Sequence, residues 1–267
     1  MRCRICKAKI KKRTKICPEC GSTVKHSGGG ILAVILAVVI LIVALAIAGW
    51  KIGIIVINVP SSGGDRPFES YVEAADRLTA PGSWTENMNM TASMVLKKGS
   101  ETTKAKTTMK SSVNITGWDE EDLSSLRLSG YASVRALNQS IAYTMTWQNG
   151  KAHYEYTEPN VTSADLEINP MYFNLWRITE DMVVSPTMRG NQITFIVKGE
   201  DITRINLSVV DSLYTGVENL FYGDATVNVT IDESTGKIAE FTMKVPAHLT
   251  YLGYDADVDY EICYTYS

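Results

Sequence analysis

The segment YTMTWQNGKAHYEYTEP, Tyr143 to Pro159, shows the architecture of the chain most plainly. Tyr143, Met145 and Trp147 alternate with polar residues, Asn149-Gly150 follows, and Ala152, Tyr154 and Tyr156 resume the alternation. A period of two puts alternate side chains on opposite faces of a strand, so each run has one apolar and one wet side. Asn-Gly provides two residues that accept positive φ, which a two-residue hairpin turn requires. The reading is an antiparallel hairpin, half-buried.

The same period extends outward. Upstream, Met88, Met90, Ala92, Met94 and Leu96 alternate, as do Ala105, Met109, Val113 and Ile115 on one parity. Leu126, Leu128, Ala132 and Val134 form a third run, and Ile141 begins the strand that enters the hairpin. Before them the period is helical: Phe68, Tyr71, Val72, Ala75 and Leu78 recur at helical spacing from Pro67 to Ala80, and Pro81-Gly82 ends the run.

Downstream, Asn169-Pro170 opens a predicted helix reaching about Glu180, with Met171, Leu175 and Ile178 along one side. Ile193, Phe195 and Val197 predict a strand. Asp201 to Tyr214 predicts another helix, stopped at Gly216. Three strands close the chain, Ala225–Ile231, Ile238–Val245 and Val258–Tyr266, the first two joined by a turn at 233–236. Residues 67–267 are therefore expected to form an α+β domain of about eight or nine antiparallel strands and about three helices. No repeat at solenoid period is evident.

The chain before this domain has a different composition. Residues 1–30 carry nine Lys and Arg against one acid, whereas from Ile52 onward there are 16 basic and 28 acidic residues. Between them Ile31–Trp50 is an uncharged run, ILAVILAVVILIVALAIAGW. Twenty helical residues span ~30 Å, the thickness of a bilayer's hydrocarbon core. Trp50 and Lys51 suit the interface, and Ile52–Val59 is apolar again. A cleaved signal peptide would have a shorter apolar core and a shorter flank. The expected organisation places a transmembrane helix at 31–57, a flexible joint at 27–30 and a linker at 58–66. The excess of cations at residues 1–30 puts the N-terminus in the cytosol and residues 67–267 outside a cell membrane crossed once.

Cys3-Arg-Ile-Cys6 and Cys17-Pro-Glu-Cys20-Gly21 lie within residues 1–26. Two Cys-x-x-Cys turns bring four thiolates to one tetrahedral ion, and backbone N–H groups are left free to hydrogen-bond the sulfurs. Disulfides do not suit a cytosolic placement. The expected metal is Zn2+, held by Cys3, Cys6, Cys17 and Cys20, with rubredoxin-type iron as the alternative. So short a segment builds no core of its own, so the metal would supply on the order of 10 kcal/mol of folding free energy. MRCRICKAKIKKRTKICPECGS resembles the short bacterial and archaeal zinc-ribbon module found at the N-termini of many membrane proteins. That resemblance implies a structural metal and no enzymatic role. The lysines between the turns would feel anionic lipid at about 1 kcal/mol per close cation. The plainer reading is that they only set orientation.

The order of elements in residues 67–267 resembles the LolA/LppX-like lipoprotein carriers, and Tyr143 to Pro159 is the part most similar to them. The resemblance implies a curved antiparallel sheet, a half-barrel, with helices covering a concave apolar face that binds acyl chains. One departure is plain. Carriers leave the membrane to move lipid, whereas this domain is tethered.

No Gly-x-Ser-x-Gly, His-Glu-x-x-His or phosphate loop is present, so no catalytic residue is assigned and the chain is not read as an enzyme. His153 sits among strand residues, and His248, after Pro246, is expected in a loop. The acids at 119–122 read as a solvated turn. Asp255, Asp257 and Asp259 alternate on a strand, facing water rather than calcium. Cys263 reads as a buried small hydrophobe. Six Asn-x-Ser/Thr sequons begin at Asn89, Asn114, Asn138, Asn160, Asn206 and Asn228.

The expected function is that of a membrane-anchored cell-envelope protein. Its outer domain would bind an apolar, lipid-like ligand or an envelope partner, and its cytosolic zinc ribbon would be structural. The alternative is a transmembrane sensor, coupling outer binding to a cytosolic protein or anionic lipid at the ribbon. Nucleic acid is not the expected partner.

Overall fold

The computed structural model describes residues 67–119, 122–136, 139–149, 151–157, 164–167, 178–203, 217–251 and 253–267. The four N-terminal cysteines and the Ile31–Trp50 run lie outside the described residues. Among the described residues no helix is long and apolar enough to cross a membrane.

Helix α1 spans Pro67–Leu78. Proline suits its first turn because its fixed φ is helical and its missing N–H would be unbonded there in any case. Glu69 in the first turn and Arg77 in the last complement the helix dipole. Phe68, Tyr71, Val72, Ala75 and Leu78 are all buried, as their spacing predicts. The helix ends two residues earlier than expected. Thr79 stays attached, with both its backbone N–H and its hydroxyl donating to the Ala75 carbonyl at 2.9 and 3.0 Å.

Among the described residues twelve strands form one antiparallel sheet. In chain order they are β1 (Gly82–Lys98), β2 (Glu101–Trp118), β3 (Arg127–Ala136), β4 (Gln139–Gln148), β5 (Lys151–Tyr156), β6 (Ala164–Glu167), β7 (Val183–Arg189), β8 (Gln192–Val197), β9 (Val217–Tyr222), β10 (Ala225–Ile231), β11 (Ile238–Tyr251) and β12 (Tyr254–Tyr266). The hydrogen-bonded path runs β6-β5-β4-β3-β2-β1-β12-β11-β10-β8-β7, and β9 pairs with the far half of β11. The last strand thus lies beside the first, in the middle of the sheet. Strands of 17 and 18 residues in so broad a sheet must twist and coil, so the sheet curves.

The expected eight or nine strands are exceeded because β6, β7 and β9 carry no legible alternation. Strand β6 has four residues. β7 is an edge strand, exposed almost throughout, with Pro186 and a register shift between Val184 and Thr187. Those are features that blunt a sheet edge. β9 adds only a short stretch beside β11. β11 and β12 also run longer than expected, which places His248 in a strand and not a loop. Of the three expected helices, α1 is present. Residues 199–203 begin the third as helix, and the remainder of it lies outside the described residues. The second falls mostly outside them, with Glu180–Met182 forming a 3-10 turn.

The hairpin at Asn149 is as expected, with Asn149 at φ 52°. In the middle of β3, Gly130 marks a different need: a Cβ there would sit 2.3 Å from the Ser112 carbonyl oxygen of β2. Strand and neighbour approach at that point more closely than any side chain permits.

Helix and sheet are tied at Trp118. Its indole Nε1 donates to the Thr79 carbonyl at 2.9 Å, and its ring meets Trp84 edge-on at 5.9 Å. Phe68 and Tyr71 pack on Phe195 of β8, with ring centroids 6.1 and 5.1 Å away. Trp118→Ala is expected to cost about 3–5 kcal/mol through the cavity and the orphaned carbonyl. A urea midpoint close to the parent's would show that Trp118 does not join the two elements.

Candidate functional site

Cross-strand register determines which residues share a face. Along β1, Trp84, Glu86, Met88, Met90, Ala92, Met94 and Leu96 are buried and alternate with exposed or half-exposed neighbours. Reading across the pairs, Phe241, Tyr264, Met88, Ser111, Ala132 and Tyr143 form one continuous row from β11 to β4. The next row runs Met243, Ile262, Met90, Met109, Val134 and Ile141. A third holds Val245, Tyr260, Ala92, Thr107 and Ala136. One face of the sheet is therefore covered and the other is wet.

Six of the buried methionines, Met88, Met90, Met94, Met109, Met145 and Met243, lie on the covered face. Unbranched thioethers fit irregular apolar partners better than branched side chains do. One residue at the start of β4 departs from this burial. Ile141 belongs by register to the covered face, yet it stands 43% exposed.

The polar atoms on this face are the unusual feature. Among the described residues the buried polar or charged side chains are Glu86, Thr107 and Ser111. Glu86 Oε2, Thr107 Oγ1, Ser111 Oγ, Tyr71 Oη, Tyr260 Oη and the Trp84 indole N–H have no hydrogen-bond partner within the protein. Each such group costs about 1–3 kcal/mol when buried unpaired, and native folds hold few of them.

Glu86 is the most costly of the set. It is 3% exposed. Tyr266 of β12 and Val113 of β2 are its direct cross-strand neighbours, and Tyr264 and Ser111 lie one row on. The Tyr264 and Tyr266 rings stack at 6.4 Å with 15° between their planes. No Lys, Arg or His is among the buried described residues. With no internal cation to offset desolvation, the Glu86 carboxyl is pushed up to about 8 by burial. Burial and the Glu86 charge together raise both tyrosine hydroxyls well above their ordinary value.

A sequence signal for this acid exists. Trp84, Glu86 and Met88 share one parity, so the alternation that assigns Met88 to the apolar face assigns Glu86 there too. The same argument reaches Thr107 and Ser111 through Met109 and Val113. Sequence reading begins the first strand at Met88 and so misses Glu86, while Thr107 and Ser111 lie inside the Ala105–Ile115 run and are passed over because an alternation is read from its apolar members.

The wet face holds the other singled-out residues. His248 Nδ1 lies 2.8 Å from Asp257 Oδ1, and Lys97 Nζ donates to Asp257 Oδ2 at 2.8 Å. These two bonds hold the Asp257 carboxyl below its ordinary range. Phe221, 53% exposed, stacks on the His248 ring at 5.0 Å. His153 is exposed, with Nε2 3.9 Å from Glu155. Asp255 accepts from the Thr250 hydroxyl, and Asp122 accepts from the Ser124 N–H. Among the described residues no group of three or more His, Cys, Asp or Glu is placed to hold a metal. Cys263 is free and half-buried, not fully buried, because its odd position puts it on the opposite parity from Tyr264. The sequon residues Asn89, Asn114 and Asn228 are exposed on the wet face, and the other three asparagines lie outside the described residues.

No family model and no curated protein matches the sequence. Similar solved structures include a DUF1329 family protein from Desulfovibrio piger, 7% identical, covering 74% of this chain and 92% of that one at a TM-score of 0.26. They also include a β-barrel-like DUF1849 protein from Brucella abortus, at 8% identity, 66% and 97% coverage and a TM-score of 0.24. A LolA superfamily protein from Nitrosomonas europaea aligns at 7% identity, 74% and 92% coverage and a TM-score of 0.21. Likeness at these TM-scores carries no functional argument.

Proposed function

We propose that this is a single-pass, membrane-anchored protein of the cell envelope whose outer domain receives an apolar, lipid-like ligand on the covered face of its sheet. One observation carries the reading: that face is rich in methionine and aromatic residues, yet holds several buried hydrogen-bonding atoms without partners. A face evolved only to be filled by its own side chains has no use for such atoms. A face that meets a chain with a polar end does. In this reading Ile141, exposed at the start of β4, marks the point from which a ligand enters.

The anchor would be Ile31–Trp50, which orients the domain outside the cytosol. Cys3, Cys6, Cys17 and Cys20 would hold a structural zinc on the cytosolic side, as their tetrahedral thiolate spacing suits. No catalytic role belongs to this reading.

The test is native mass spectrometry of the full chain after mild extraction from its own membrane. The expected result is a population carrying one lipid-sized adduct, lost on delipidation and regained from added lipid. A clean ligand-free mass throughout, with no uptake, would overturn the proposal.

A further inference from the structure

Among the described residues Glu86 is the one buried side chain that carries a carboxylic acid or a base, so no described buried residue offers it the opposite charge. The groups around it are electron-rich rings. Tyr266 faces it directly across the strand pair, Tyr264 lies diagonal to it and stacks on Tyr266, and Trp84 lies two residues along on the same side. A carboxyl amid aromatic rings, without a resident cation, is the chemistry that recognises an ammonium group. An anionic headgroup would meet a carboxyl and no buried base. A neutral one would use a hydrogen bond but gain nothing from the ring faces.

We infer that the covered face takes an amphiphile with a positively charged, ammonium-type end, and that Glu86 is the residue that pairs with it. The inference rests on the apolar-ligand reading above and names the class of ligand. Binding then includes a proton step. The protonated carboxyl gives its proton to solvent as the cation arrives, leaving a carboxylate paired with ammonium. Burial keeps Glu86 protonated in the ligand-free protein below about pH 8. The titratable groups that face it are Tyr264 and Tyr266 from β12, with Tyr71 from α1 against Tyr266. Strand β2 contributes Val113 and Ser111, neither of which titrates. Burial holds all three tyrosines far above neutrality, so Glu86 is the group in this set that changes charge between pH 5 and 9.

The experiment is calorimetric titration of the delipidated full chain, held in amphipol, with three probes of one chain length: dodecyltrimethylammonium, dodecanoate and dodecyl maltoside. Tetramethylammonium serves as the cation without a tail. The expected result is tightest binding by dodecyltrimethylammonium, with Glu86→Gln weakening that probe about tenfold or more and leaving the maltoside unchanged. Titration in buffers of different ionisation heat should show close to one proton released at pH 7 by the parent and none by Glu86→Gln. Equal binding of all three amphiphiles, or an unchanged affinity in Glu86→Gln, overturns the ammonium assignment alone. Binding of tetramethylammonium as tightly as the tailed cation shows a free cation site and overturns the amphiphile. Failure of every amphiphile to bind overturns the apolar-ligand reading, and this assignment with it.

Discussion

Glu86→Gln is expected to stabilise the fold by roughly 4–5 kcal/mol at about pH 8.5, and to change it little near pH 4. The carboxyl moves from 4.5 to about 8 on burial, and each pKa unit is worth about 1.36 kcal/mol. The sign follows from proton counting. Between the two values the folded chain keeps a proton that the unfolded chain has lost, so raising the pH favours unfolding across that window. Above about 8 both states are ionised and the loss is complete. Glutamine has nearly the same shape and no charge, so its unfolding free energy should be flat where the parent's falls. Its two amide hydrogens also lack partners, which trims the gain. Asp257, Asp122 and Asp232 act in the opposite sense. Their carboxyls are held low by hydrogen bonds, so what they contribute is lost as the pH falls through that lowered range. The parent should therefore be most stable in mildly acidic solution. Urea unfolding of both chains at several pH values between 4 and 9 measures this. A parent curve that is level from pH 5 to 8 would show that Glu86 is ionised and partnered, and a variant that keeps the slope would show that another group produces it.

The second large effect is expected at the other end of the chain. The full chain should carry one zinc, and the pair Cys3→Ser, Cys6→Ser should carry none. A metal held by four thiolates supplies on the order of 10 kcal/mol to so short a segment. Loss of two ligands therefore removes the ion and the local fold together. Stripping with a strong chelator at neutral pH should do the same and release four reactive thiols per chain, over and above Cys263. The unfolding transition of the outer domain should not move, because its residues make a core of their own. Elemental analysis distinguishes the outcomes. Zinc retained by the double variant would refute the four-cysteine site, and iron in place of zinc, with the charge-transfer colour of a ferric thiolate, would support a rubredoxin-type centre.

How much of the domain was legible depended on how strictly each strand alternates. Met88 to Leu96, Met109 to Ile115, Tyr143 to Trp147 and Ala152 to Tyr154 keep alternate residues buried on one face, so period alone assigned their sides. The Asn149-Gly150 turn was legible for a different reason, since few residue pairs accept its backbone. β7 was not, because an edge strand with one neighbour and two exposed sides has no pattern to show. Pro246 reads as a breaker, which predicts a loop at His248. Its strand survives because proline costs a sheet one donor, and there the Pro246 carbonyl still accepts from the Gly223 N–H at 2.8 Å.

By itself the sequence determined the side on which each residue of a regular strand lies, since backbone geometry sends neighbouring side chains opposite ways whatever else the chain does. It also determined the cysteine spacing and the uncharged run, which are local properties of consecutive residues. Only the tertiary structure decided that the last strand lies against the first, that Tyr264 and Tyr266 come to stand beside Glu86, and that no buried base is found among the described residues. Those neighbours are some 180 residues away along the chain, and pairing at that distance is a property of the whole sheet.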